Sequence, residues 1–95
     1  MTQTIIQILL QVRSYITDDS DMAWVRYDTP ADLRAELTTC IEALQHGKTE
    51  CLTRLSFHFG PTCTFQEHSI SNGWGNEYLA LAEAFDKAYA IVKHP

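Results

Sequence analysis

Residues 4–16 carry apolar side chains at Ile5, Ile8, Leu9, Val12 and Ile16, a spacing that puts them on one stripe of a helix. Ile6 and Leu10 fall four residues apart on a second flank. A helix apolar on two sides must be buried twice, inside its own fold or against a partner. The β-branched content of this segment keeps a strand as the alternative.

After a polar stretch over residues 17–21, the run Ala23-Trp24-Val25-Arg26-Tyr27 is rich in strand formers and ends at Asp28-Thr29-Pro30, a turn signal. A short strand is expected over residues 23–27. The next helix is the best marked. Thr29 suits its cap, Pro30 its first position and Asp32 the place of a capping-box acid. Leu33, Leu37, Cys40, Ile41 and Leu44 form its core-facing stripe, and Gly47 ends it.

Residues 51–59 alternate Leu55, Phe57 and Phe59 with Arg54, Ser56 and His58, which predicts a strand. A second strand over 63–70, across Gly60-Pro61-Thr62, completes a hairpin with Phe57 opposite Phe65 on the buried face. A lone hairpin is marginal in water, so residues 23–27 are expected as a third strand. Beyond Asn72-Gly73-Trp74-Gly75, a last helix runs from about Asn76 to Lys93, with Tyr78, Leu81, Ala82, Phe85, Ala88, Tyr89 and Val92 on its stripe and Leu79 and Ile91 outside it. The expected fold is therefore α+β, in the order α-β-α-β-β-α, with two to three helices on an antiparallel hairpin or three-stranded sheet.

With 95 residues there is room for one ordinary domain and one hydrophobic core. The net charge of -5 comes from twelve acids against seven bases, and residues 1–50 hold eight of the acids. That balance repels phosphate backbones and anionic lipid, so nucleic acid and membrane are not expected partners, and a charged partner is expected to be basic. The plain reading of the same charge is that it keeps a small protein soluble. No secretory leader or membrane span is read at the N-terminus. Three cysteines, an odd number, are expected as reduced thiols in the cytoplasm, with no disulfide.

Cys51, Cys63, His58 and His68 suggest a metal centre. On a hairpin, however, the two cysteines come out about 26 Å apart and the two histidines about 13 Å apart. Zinc needs its ligands within roughly 2.0 to 2.3 Å, so no metal and no cofactor are expected. Nucleophilic catalysis is also disfavoured: the cysteines fall on apolar stripes or inward strand faces, and no nucleophile elbow is present. Asp18, Asp19 and Asp21 lack the spacing of a calcium loop, and Gly73-Trp74-Gly75 lacks the rest of a phosphate-binding loop.

Three functional readings follow. The first is a non-enzymatic, acidic protein-binding module, such as a small inhibitor or immunity-type protein that binds a basic partner through Asp18, Asp19, Asp21, Trp24 and Trp74. Against it, Trp74 serves equally as a lid on the core. The second is a homodimeric accessory or housekeeping domain joined through Ile6 and Leu10. The third, a small-molecule-binding or enzymatic domain, would gather His58, His68, Arg54 and Glu67 on the hairpin's open face; adjacent Glu67 and His68 would point to opposite faces of a strand.

Overall fold

Thr29 accepts a hydrogen bond from the backbone N–H of Asp32 at 3.2 Å, and Pro30 follows it as the first helical residue. This is the start of α2, Pro30–Gln45, in the computed structural model, which describes residues 2–22, 29–59 and 64–93. Leu33, Leu37, Cys40, Ile41 and Leu44 are its buried residues, the stripe expected from their spacing. At its end Gly47 adopts φ +78°, Gly47 N–H donates to Leu44 O and Lys48 N–H to Ala43 O. That pair of bonds is a Schellman stop, which needs a left-handed residue where Gly47 stands.

Helix α1, Thr2–Tyr15, packs against both α2 and the last helix. Ile5, Ile8, Leu9, Val12 and Ile16 are buried, and so is Ile6. Leu10 is half-buried against the same core. The two apolar flanks are thus covered by two helices of the same chain.

Residues 51–59 and 63–70 form no hairpin. They contain α3, Cys51–His58, and α4, Thr64–Asn72, and α5 follows over Gly75–Lys93. Among the described residues there are five helices and no strand, so the α+β expectation is replaced by an all-α fold. The third strand expected over residues 23–27 lies outside the described residues.

The reason for the correction is a competing period. Leu52, Leu55 and Phe59 stand at i, i+3 and i+7, and all three are buried. The alternation of Leu55, Phe57 and Phe59 hid that stripe. Phe57, expected opposite Phe65 in the core, is 71% exposed, whereas Phe65 is fully buried. In α4 the buried positions are Phe65, His68 and Ser69, again at helical spacing.

Aromatic rings close the core where the short helices meet α5. Phe59 stacks on Phe85 with centroids 4.2 Å apart and meets Phe65 edge-on at 4.9 Å. The Tyr78 hydroxyl donates to Phe59 O at 2.8 Å, fixing the end of α3 to α5.

Candidate functional site

Between α2 and α3 lies an open groove of about 530 Å³, lined by Glu36, Thr39 and Cys40 of α2, by Glu50 just before α3, and by Cys51, Arg54 and Leu55. Helical spacing brings these side chains together: Glu36 and Cys40 are one turn apart, as are Cys51 and Arg54. Arg54 Nη1 meets Glu36 Oε1 at 3.3 Å, and His58 Nε2 lies 3.5 Å from the same oxygen. Glu50 precedes α3 without capping it through its side chain. Two carboxylates and one guanidinium leave the groove acidic.

Cys40 and Cys51 are joined by a disulfide, with Cα atoms 5.7 Å apart. The reduced thiols expected at these positions are thereby corrected. A strand reading placed Cys51 far along a hairpin, whereas α3 folds back against α2 after a short turn and brings it to Cys40. Cys63 lies outside the described residues. The hairpin distances no longer separate metal ligands, but among the described residues no three His, Cys, Asp or Glu side chains gather as a metal site would require.

His58 also shares a 2.8 Å hydrogen bond between Nδ1 and the Thr64 hydroxyl. Carboxylate, imidazole and hydroxyl therefore stand in the order of a nucleophile relay, Glu36–His58–Thr64. Neither His58 nor Thr64 lines the groove, and their described contacts tie α2, α3 and α4 together. The hairpin face that would have grouped Arg54, His58, Glu67 and His68 does not exist. Arg54 and His58 meet at Glu36, while His68 is in the core.

The acidic loop is stitched down at both ends. Asp18 pairs with Arg34 of α2, whose guanidinium also donates to Ile16 O at 3.0 Å. Asp21 N–H donates to Asn72 Oδ1 at 2.6 Å, and Asn72 Nδ2 donates back to Asp21 O at 3.0 Å. Asp19 is exposed. Trp74 is buried and stacks on Tyr15 with centroids 4.8 Å apart, so it has little surface to offer a partner. Trp24 lies outside the described residues. Beside Trp74, His68 is fully buried; its two ring nitrogens and the Trp74 Nε1 have no hydrogen-bond partner among the described residues. Burial holds the His68 pKa below its ordinary value, against a smaller upward pull from Asp21.

Phe57 is the feature that sequence reasoning missed. It is the most exposed of the large hydrophobic residues described, and Glu50, Arg54 and Phe57 follow one another at i, i+4 and i+7 on one face, of which Glu50 and Arg54 line the groove. A helical count of residues 51–59 would have put it outside the Leu52–Leu55–Phe59 stripe.

Compared with family models, with curated proteins and with solved structures, the chain matches none. No described helix is long and apolar enough to cross a membrane.

Proposed function

We propose that this protein is a non-enzymatic binding module, of the small inhibitor or immunity type, which holds a basic segment of a partner protein along the α2–α3 groove with Phe57 as the apolar anchor. The observation that carries this reading is Phe57, a large ring left 71% exposed on α3, three residues beyond Arg54 of a groove that Glu36 and Glu50 also line. Aromatic residues beside complementary charge are where interface energy concentrates. The net charge of -5 favours a basic partner at longer range. The acidic loop, tied to Arg34 and Asn72, is better used in holding the fold. A cytoplasmic location belongs to the same proposal; there the Cys40–Cys51 bridge would open and close with the thiol pool.

Affinity capture with wild-type protein, Phe57→Ala and the pair Glu36→Gln with Glu50→Gln tests it. The wild type should retain one basic protein, and each variant should lose at least about tenfold in affinity, Phe57→Ala while melting near the wild-type temperature. Equal retention by all three would refute the site.

A second reading, self-association, is favoured by a different patch. Ile70 and Leu79 are 63% and 62% exposed, and Ile70 packs beside Gly75, one turn before Leu79. Such a homodimer would use α4 and α5 rather than Ile6 and Leu10. A Leu79→Glu variant should then sediment as a monomer where the wild type does not.

A further inference from the structure

We infer that the Cys40–Cys51 bridge is a thiol–disulfide exchange site, entered from the α2–α3 groove through the sulfur of Cys51. The two halves of the bridge differ in the way an exchange pair requires. Cys40 is 3% exposed in the middle of α2, whereas Cys51 is half-buried, and both line the groove. An incoming thiolate therefore meets Cys51 first.

Cys51 is the first residue of α3, and the Cβ of a helical residue points back toward the N-terminus, over the amides of the first turn. No side chain of the preceding Glu50 caps those amides, although Leu52 N–H donates to Thr49 O at 3.0 Å. The partial positive charge of the amides favours a thiolate at Cys51. Glu50 acts the other way, while Glu36 and Arg54 offset each other in their ion pair. Cys40 is held in the α2 core stripe.

The co-reactant is a monothiol, RSH. Its thiolate attacks Cys51 Sγ; the S–S bond breaks and its electron pair leaves on Cys40 Sγ, which takes up the proton that RSH lost. The product is a mixed disulfide at Cys51 and a thiol at Cys40. A second RSH displaces the first group as RSSR and leaves a thiol at Cys51. Two monothiols are oxidised and one bridge is reduced, with two electrons and two protons transferred. In the reverse sequence the Cys51 thiolate attacks RSSR and releases one RSH, giving the mixed disulfide at Cys51; the Cys40 thiolate then attacks Cys51 Sγ, releases the second RSH and closes the bridge. None of this depends on whether a protein partner docks on the rim.

The test uses the full chain in a Cys63→Ser background with cysteamine, a cationic thiol suited to an acidic groove. Acid-quenched samples of the folded protein should carry the mixed disulfide on Cys51, and the bridge should close again with cystamine. In single-cysteine chains, alkylation of Cys51 in Cys40→Ser should run at least about tenfold faster than alkylation of Cys40 in Cys51→Ser. Adducts on Cys40, or a bridge that yields to cysteamine only as fast as the whole protein unfolds, would overturn the inference. The adduct position in the doubly cysteine-bearing chain decides the matter even if a single-cysteine chain fails to fold.

Discussion

Phe57 and Phe85 are the same residue type with opposite duties. Phe85 is fully enclosed and stacked on Phe59, so Phe85→Ala should cost about 3 to 5 kcal/mol. Phe57→Ala should change stability by no more than about 0.5 kcal/mol, because solvent already surrounds the ring. Urea denaturation of both variants checks the pair; a large loss at Phe57 would mean that its ring is covered. His68 gives a pH signature. Burial lowers its native pKa below 6.5, its ordinary value, so the unfolded chain binds a proton that the native chain refuses. Its stabilising share is therefore complete above about pH 6.5 and is lost as pH falls through the lowered native pKa. Melting curves of wild type and His68→Phe should differ more at about pH 5 than at about pH 7.5, to the disadvantage of the wild type. A difference independent of pH would show that His68 does not titrate in this way.

At the scale of elements, what was legible is what had local markers. Helix α2 was written out by Thr29, Pro30, its apolar stripe and Gly47, and α5 by a long stripe from Tyr78 to Val92. The two short helices were not, because eight or nine residues hold barely two turns. Over that length Leu55, Phe57 and Phe59 match a strand as well as Leu52, Leu55 and Phe59 match a helix. The choice falls to tertiary burial, and the Phe59–Phe85 stack together with the Tyr78 bond to Phe59 O rewards the helical count. The caps of α2 can be tested directly. Thr29→Ala should cost about 1 kcal/mol through the lost bond to Asp32 N–H. Gly47→Ala should cost about 1 kcal/mol as well, for a different reason: its added methyl meets nothing within 4 Å, but φ +78° disfavours any side chain. Thermal unfolding of the two variants and of their combination should show additive losses, since the substitutions lie at opposite ends of the helix.

The whole molecule joins α1, α2 and α5 as its main body, with α3 and α4 arranged around the Phe59–Phe65–Phe85 cluster. This arrangement creates the groove, and it explains why the site was harder to read than the charge. Net acidity is a sum over residues and needs no fold. The meeting of Cys40 with Cys51, of Glu36 with Arg54, and of Phe57 with solvent depends on α3 being a helix that turns back on α2. Of the residues that looked suited to a partner in the sequence, Trp74 is buried against Tyr15, while Asp18 pairs with Arg34, Asp21 meets Asn72 through its backbone and Asp19 is exposed. Incorporation of a photo-crosslinking phenylalanine analogue in place of Phe57, and separately in place of Ile91, tests the proposed surface in the native host. The account predicts a covalent adduct with one basic protein from position 57, lost when Glu36→Gln and Glu50→Gln are added, and none from position 91. An adduct from position 91 alone, or one from position 57 that survives removal of both carboxylates, would contradict it.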